Sequence, residues 1–242
     1  MVHDLFKADA FETVAGILSD RSPEVIVDIG AHIGSTCDRL LAVFPTSRVW
    51  AFEPVASTFN RLSMRVGNHP RVDVARLAVG SDNGEIEIYV NGFADTSSAL
   101  APTEACRRYH GEKVDPIRNE QVEMVRLDDW AARSGAGDIE VMKVDVQGLE
   151  LEVLRGAERL LTTTVRAVLS EAQLAPIYQG AATFSEIDLY LRSCGFVLHQ
   201  VCRIASCGAE RRTTCCDALW VREDVHRAYI ERVTECAAGV TA

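Results

Sequence analysis

Short apolar runs alternate with amphipathic segments along most of the chain, and this alternation constrains the fold more than any other feature. Helices are predicted through Leu40 to Phe44, over about 55–67 and over about 149–161. Strands that alternate with long helices predict an α/β fold, in which a mostly parallel sheet is covered by helices on both faces. The clearest strands are predicted at VIVDIG (25–30), RVWAFEP (48–54), IEVMKVDV (139–146) and VRAVLSE (165–171).

Three further segments complete the predicted architecture. Residues 1–22 contain an amphipathic N-terminal helix, over about 4–19. FVLHQV (196–201) and CCDALWVR (215–222) follow one another without an intervening helix, which predicts an antiparallel hairpin at the sheet edge. The polar stretch 91–120 is broken by proline and glycine and is predicted to be an irregular lid insertion. No linker is visible, so residues 1–242 are predicted to form a single domain.

The charge balance excludes some classes of partner. The chain has 35 acidic and 25 basic residues, for a net charge of −10. Proteins that bind the nucleic-acid backbone need clustered Lys and Arg, so we expect no nucleic-acid partner. No apolar run approaches the roughly 20 residues that span a bilayer, and the start, MVHDLFKADAFE, lacks the pattern of a signal peptide. We therefore expect a cytoplasmic protein without a membrane partner, and the sequence does not predict its oligomeric state.

The eight cysteines show no regular spacing. Five residues of the types that bind zinc lie close together in the sequence, but they contain no C-x-x-C pair. They are His199, Cys202, Cys207, Cys215 and Cys216. Free thiols in a reducing compartment are therefore predicted, and no structural zinc.

A glycine-containing turn after the first predicted strand indicates a nucleotide-type cofactor. The turn spans 28–34 with the spacing D-x-G-x-x-x-G, and the next strand ends at Glu53-Pro54. Glycine lets backbone approach a ligand closely, and an acid at the tip of the second strand can accept hydrogen bonds from ribose hydroxyls. Dinucleotide sites use G-x-G-x-x-G, whereas this chain has Ala31-His32 where the second glycine would fall. The turn therefore favours S-adenosylmethionine over a nicotinamide dinucleotide, although a tight turn without ligand is the simpler alternative.

Several segments in sequence order resemble the FkbM-family methyltransferases. They are VDIGAHIGST, VWAFEPVASTFNRL, LAVGSDNGEIEI, VRLDDW, VMKVDVQGLELEVLRGAERLL and VLSE, within a match from about Val25 to Val221. The resemblance implies the Rossmann-like class I methyltransferase fold, with a seven-stranded, mostly parallel sheet and one antiparallel strand. It also implies methyl transfer from S-adenosylmethionine, with S-adenosylhomocysteine as product, usually to a hydroxyl of a sugar, polyketide or other natural-product acceptor.

The resemblance also implies cofactor-binding positions. Asp28, Gly30 and Gly34 would line the methionine end, and Glu53 would bind the ribose. The remaining positions are Ala78 and Val79 near adenine, Asp145 beside the sulfonium, and His32 and Pro54 in the adjoining turns. The chain departs from the family at Gln147, where a glutamate is usual.

Removing the proton of a hydroxyl acceptor requires a base or a metal. Asp145 and Glu171, each at a predicted strand tip, are the candidate catalytic acids, and Lys143 could stabilise a developing alkoxide. Lys143 could equally be part of a structural ion pair. Glu150 is predicted to lie in the first turn of a helix, where its negative charge interacts favourably with the helix dipole. A divalent metal at Asp145 and Glu171 is possible but is not predicted.

The predicted lid offers candidate substrate-binding residues, namely Ser97, Ser98, Tyr109 and His110. A solvated loop face is the alternative for this cluster. The main hypothesis is an O-methyltransferase that acts on a small or medium hydroxyl-bearing acceptor beneath the lid. The alternatives are a catalytically idle scaffold that binds the cofactor, at which Gln147 hints, and an NAD-dependent oxidoreductase, against which the turn argues.

Overall fold

A computed structural model describes residues 9–93, 96–207 and 211–239 of the chain. The strands in this part are β1 (Val25–Ile29), β2 (Arg48–Phe52), β3 (Val72–Ala75), β4 (Ala78–Val79), β5 (Gly84–Asn91), β6 (Pro116–Val125), β7 (Ile139–Val144), β8 (Ala167–Gln173), β9 (Phe196–Cys207) and β10 (Arg212–Arg222). The helices are α1 (Ala10–Ile17), α2 (Ser35–Val43), α3 (Ala56–Val66), α4 (Glu104–His110), α5 (Leu127–Ser134), α6 (Glu150–Arg155), α7 (Glu158–Thr163), α8 (Phe184–Ser193) and α9 (Glu223–Gly239).

Seven strands form the main sheet, in the order β3-β2-β1-β7-β8-β10-β9. Every pairing from β3 to β8 is parallel, whereas β10 runs antiparallel to both β8 and β9. The fold class and the hairpin at the sheet edge are therefore confirmed. A second sheet, in the order β4-β6-β5, stands beside it.

Two apolar cores cover the two faces of the main sheet. All five residues of β1 are buried, as expected for a central parallel strand. Val27 and Ile29 belong to one core, and Ile26 belongs to the other. Side chains alternate between the faces of a strand, so a strand between two helical layers is buried at every position, and Asp28 is the one charged residue of β1. The carboxyl ends of the parallel strands are left to meet at one edge of the sheet.

The structure differs from the predicted lid. Within 91–120 it places α4, a 3₁₀ turn at Gly111–Val114 and the first half of β6, which pairs with β5. Cys106 and Val114 are fully buried, so part of this segment has its own packed side. The expectation of an irregular insertion was wrong because strand pairing overrides the polar composition of residues 116–120.

The helix predicted over 149–161 is divided into α6 and α7. Gly156 lies between them, where a Cβ would stand 2.0 Å from the carbonyl oxygen of Gly80. The Asp128 carboxylate accepts hydrogen bonds from the N–H groups of Arg159 and Leu160, at 2.8 and 3.0 Å, and so caps α7 from outside the helix.

The predicted N-terminal helix is confirmed in its described part, whereas a C-terminal helix was not expected. Of the helix predicted over 4–19, the described part is α1, which begins after Asp9 caps Phe11 and Glu12. Residues 1–8 lie outside the described part. The sequence reading did not predict α9. Among the described residues, no helix is both long enough and apolar enough to cross a membrane.

Candidate active site

A cavity of about 550 Å³ opens at the carboxyl ends of β1, β2 and β7, and we call it the main cavity. Most of the residues predicted to bind the cofactor line it. They are Gly30, His32, Glu53, Pro54, Ala78, Val79 and Asp145. The cavity thus lies where ligands bind in open α/β sheets.

Gly30 shapes the floor of the main cavity. Its φ is 79°, and a Cβ at this position would stand 1.9 Å from the carbonyl oxygen of Asp145. The N–H groups of Gly30 and Ala31 both donate to the carbonyl of Phe52, at 3.0 and 2.9 Å. The turn therefore holds β1, β2 and the end of β7 in close contact, and only glycine fits this approach.

Glu53 lies at the tip of β2 with its carboxylate turned toward the Gly30 turn. One carboxylate oxygen accepts from the N–H of His32 at 3.1 Å, and the other accepts from the N–H of Val55 at 2.9 Å. Burial raises the pKa of Glu53 to about 7, and the carboxylates of Asp28 and Glu120 contribute, although the two hydrogen bonds oppose the shift. A carboxylate held in this way keeps lone pairs for further donors, such as ribose hydroxyls.

Asp28 and Gly34, which the resemblance places at the methionine end, are not among the residues that line the main cavity. Asp28 is fully buried, with Oδ2 3.3 Å from the Cys37 sulfur and Oδ1 3.9 Å from Lys143 Nζ. Burial raises the pKa of Asp28, whereas the Lys143 ammonium opposes the rise. Gly34, at φ 87°, precedes α2 and packs against Leu62. Asp28 thus lies in the core beside Lys143 and helps to keep the ammonium group charged.

Lys143, Asp145 and Glu171, the three predicted catalytic residues, come together at one end of the main cavity. Lys143 Nζ lies 3.2 Å from Asp145 Oδ2. Burial opposes its charge, but the Asp145 and Asp28 carboxylates raise the pKa of Lys143 above its ordinary value. The structural ion pair weighed from the sequence is therefore present, and the ammonium also faces the cavity.

The two candidate acids have pKa values shifted in opposite directions. Burial would raise the pKa of Asp145, but Lys143 and a hydrogen bond from Gln147 hold it below its ordinary range. Burial raises the pKa of Glu171 to about 8, and the negative charges of Asp145, Glu150 and Asp217 add to this rise. Two acids separated in this way are suited to different roles, since Glu171 is the stronger base when it is ionised.

Gln147 connects these acids. Its Nε2 donates to Asp145 Oδ1 at 2.8 Å and to Glu171 Oε2 at 3.2 Å, while its Oε1 accepts from the hydroxyl of Tyr178 at 3.1 Å. Its backbone is left-handed, at φ 56°, and its carbonyl accepts from Ser98 Oγ at 2.7 Å. The sequence indicated Gln147 only as a departure from the family. It gave no signal for Tyr178, which lies in an irregular segment.

Glu150 fixes the turn that carries Asp145 and Gln147. Its carboxylate accepts from the N–H groups of Val146 at 3.0 Å and of Gly148 at 3.0 and 3.1 Å. It is fully buried, and burial raises its pKa to about 7. Glu150 is also the first residue of α6, so its predicted position in the first turn of that helix is confirmed. Oxygens of Asp145, Glu150 and Glu171 lie within 4.8 Å of one another. Because the Glu150 oxygens already accept N–H groups, we assign no metal to them.

The predicted lid residues do not all face the main cavity. Ser97, Ser98 and His110 line it, whereas Tyr109 does not and has the Arg108 guanidinium 5.8 Å from its ring centre. Burial and the nearby Lys113 lower the pKa of His110.

Arg203 is a cavity residue that the sequence did not indicate. It lines the main cavity, with Nε 2.9 Å from Asp217 Oδ2 and a terminal nitrogen 3.6 Å from Glu171 Oε1. It lies within β9 at a shift of the β9–β10 register and has a φ of 37°. Such irregularities turn side chains toward places that regular alternation would not give.

Comparisons with known proteins give a consistent result. A family model described as a methyltransferase FkbM domain matches residues 28–198. The chain is 31% identical over 171 residues to the 2-O-methyltransferase NoeI of Sinorhizobium fredii, covering 67% of this chain and 69% of that protein. It is 28% identical over 200 residues to the 31-O-demethyl-FK506 methyltransferase FkbM of Streptomyces tacrolimicus, covering 74% of each.

A crystal structure of an FkbM methyltransferase from Methylobacillus flagellatus superposes on 87% of this chain, with a TM-score of 0.52 and 16% identity. This chain spans 55% of that protein. At this level of identity the superposition shows a shared fold.

Proposed function

The chain belongs to the FkbM methyltransferase family, and from that premise we propose that it methylates a hydroxyl oxygen of a sugar, polyketide or other natural-product acceptor, with S-adenosylmethionine as donor. The observation that carries the proposal is the main cavity itself. It extends from the Gly30 turn and the Glu53 carboxylate to the paired acids Asp145 and Glu171. Two relatives are named for methylation at oxygen, which supports the choice of acceptor atom.

The residues present fit the proposed donor. Glu53 would accept hydrogen bonds from the ribose hydroxyls, because its carboxylate is fixed by two backbone N–H groups and faces the cavity. Leu77, Ala78 and Val79 offer an apolar wall for adenine, and the Gly30 turn leaves space for the methionine end. When bound, S-adenosylmethionine supplies a methyl carbon whose bond to sulfur breaks, with the electron pair left on sulfur, as the bond to the acceptor oxygen forms.

Glu171 is the proposed base. As the acceptor oxygen forms its new bond, the hydroxyl proton passes to the Glu171 carboxylate, whose raised pKa of about 8 makes it a competent acceptor of that proton. Gln147 holds Glu171 and Asp145 at fixed positions through its amide nitrogen. Asp145, kept ionised by Lys143, would face the positive end of the donor. Fixed positions matter because orientation supplies a large share of the rate in group transfer.

Binding and transfer can be tested separately. Isothermal titration with S-adenosylhomocysteine should show binding that Glu53→Ala weakens, and tritium from labelled S-adenosylmethionine should appear in a small-molecule ether. Absence of binding to either cofactor form would refute the proposal. Binding without transfer to any acceptor would favour the idle scaffold, and preferential binding of a nicotinamide dinucleotide would favour an oxidoreductase.

A further inference from the structure

A second cavity, of about 470 Å³, lies between the start of α1, the helix α2 and the β9–β10 hairpin. Residues specific to it include Ala10 and Phe11 from α1, Arg39 from α2, and Cys202 and Asp217 from the hairpin. None of these residues lines the main cavity. The second cavity is therefore a separate approach to the same sheet edge.

The two cavities share a wall. Thr36, Lys143, Asp145, Glu171 and Arg203 line both of them. A group transfer between two molecules requires donor and acceptor to approach one point from different sides, with the reacting atoms aligned. The shared wall carries the proposed base, so it is the place where the two approaches meet.

We propose that the second cavity is the acceptor subsite, and that it takes a polyhydroxylated ring such as a sugar. This inference rests on the proposed function, because it assigns the main cavity to the methyl donor. It places the acceptor on the α1 and hairpin side of Glu171, away from the segment predicted as a lid.

The lining chemistry supports a neutral, hydroxyl-rich acceptor. Arg39 forms an ion pair with Asp9, and Arg203 pairs with Asp217 at 2.9 Å. Together with Lys143, Asp145 and Glu171, the lining has three cations and four acids, so it offers many donors and acceptors and disfavours an anionic acceptor. A sugar hydroxyl both donates and accepts, and it can bridge such pairs. Phe11 and Leu169 add apolar surface for ring carbons.

The lid side offers less to an acceptor. Ser98 Oγ already donates to the Gln147 carbonyl at 2.7 Å and accepts from the N–H of Leu100 at 3.0 Å. Ser97 Oγ accepts from the N–H of Asn91 at 3.1 Å. These hydroxyls, predicted from the sequence to bind substrate, also hold the local backbone and so have fewer positions left for an acceptor.

Arg203 is the positioning residue that connects the subsite to the base. In the hairpin register Cys202 pairs with Asp217 and Ile204 pairs with Cys216, so Arg203 is the extra residue of a bulge. The bulge directs its guanidinium toward Glu171 and Asp217, at the wall between the cavities. Bulges are common next to active sites, where they change the direction of a side chain.

The test fills the second cavity from opposite walls. Ala10→Trp adds bulk from α1, and Cys202→Trp adds bulk from β9. Ala132→Trp, on an exposed position of α5, and Cys236→Trp, on an exposed position of α9, are the matched controls. For each variant, isothermal titration measures S-adenosylhomocysteine affinity. Methyl transfer is measured as tritium passed from labelled S-adenosylmethionine into a small-molecule extract of source cells lacking the gene.

We expect both filling variants to keep wild-type affinity for S-adenosylhomocysteine and to lose transfer by about tenfold or more, since misplaced reactants lose the benefit of orientation. The controls should transfer at the wild-type rate, and mass spectrometry should find the label on a sugar-containing product. Filling variants that transfer normally, while His110→Ala lowers transfer, would place the acceptor under the lid and overturn the inference.

Two other results count against the inference. Loss of S-adenosylhomocysteine affinity in both filling variants, with an unchanged thermal unfolding midpoint, would assign the second cavity to the donor. A labelled product without hydroxylated rings would overturn the acceptor class. If the wild-type protein binds the cofactor but labels nothing, the proposed function itself fails, and that result is distinct from a defect confined to the filling variants.

Discussion

Cofactor affinity should depend on the ionisation of Glu53. Its carboxylate is buried at the tip of β2, and its pKa is raised to about 7. The ionised form accepts hydrogen bonds at both oxygens, whereas the protonated form has lost one accepting position and gained a donor. Two ribose hydroxyls therefore bind the ionised form better, and affinity should fall as the pH is lowered through 7.

The size of the effect follows from the pKa. A group with a pKa of about 7 is roughly nine-tenths ionised at pH 8 and one-tenth ionised at pH 6. If the ionised form alone binds the ribose, the affinity for S-adenosylhomocysteine falls by about tenfold between these pH values, or about 1.4 kcal/mol of binding free energy. Because binding then lowers the pKa of Glu53, it should also release up to about half a proton at pH 7.

Isothermal titration at pH 6, 7 and 8 measures both quantities, with proton release obtained from buffers of different ionisation enthalpy. Glu53→Gln keeps the shape of the side chain and removes its titration, so its affinity should be lower and almost independent of pH. Asp28 and Glu120 also contribute to the pKa of Glu53, and any dependence that remains in the Gln variant reports such neighbours. A wild-type affinity that is flat from pH 6 to 8, with no proton released, would refute the reasoning.

Three further predictions concern single residues. Gly30→Ala should lower the free energy of unfolding in urea by about 1–3 kcal/mol, because its Cβ would collide with the Asp145 carbonyl at a positive φ; unchanged stability would contradict the close approach. Gln147→Glu should move the acidic limb of the pH–rate profile to higher pH, because a third carboxylate beside Asp145 and Glu171 raises the pKa of Glu171 further; Gln147→Met is the uncharged control, and an unmoved limb would argue that Glu171 is not the base. Gly16→Ala should raise the free energy of unfolding by about 0.4–1 kcal/mol, since open space surrounds the position in α1; a loss of stability in the same urea titration would count against it.

The fold was predictable where burial alone determines the element. β1 is buried at all five positions, four of them apolar, because both faces of the sheet are covered, and the hairpin followed from two adjacent strands without a helix between them. The break between α6 and α7 was not predictable, because Asp128 caps α7 from another helix and Gly156 makes room for a distant carbonyl. Such contacts join residues that are far apart in sequence.

The sequence predicted the candidate site residues that lie at strand tips, but not those whose direction depends on tertiary structure. Glu53 and Asp145 were found because strand tips are visible in the sequence and meet at one edge of a parallel sheet. Arg203 was missed because its direction depends on a bulge, and a register shift of one residue leaves no mark in the hydrophobic pattern. Asp28 was assigned to the cavity from its motif, yet its side chain points into the core beneath Lys143.

Burial and the neighbouring acids together raise the pKa of Glu171, and this shift suits the proposed reaction. The lining of the second cavity has four acids (Asp9, Asp145, Glu171 and Asp217) and three cations (Arg39, Lys143 and Arg203), so it carries a small excess of acids. Under the proposed function the donor brings its sulfonium to the shared wall, and transfer removes that positive charge while a proton reaches Glu171. A separated cation and carboxylate thus become a neutral thioether and a neutral acid. The net charge of the site is unchanged, but the number of buried charges falls by two. A base with an ordinary carboxylate pKa would hold the proton less well, so the burial and the neighbouring acids that raise the pKa of Glu171 to about 8 also favour the forward step.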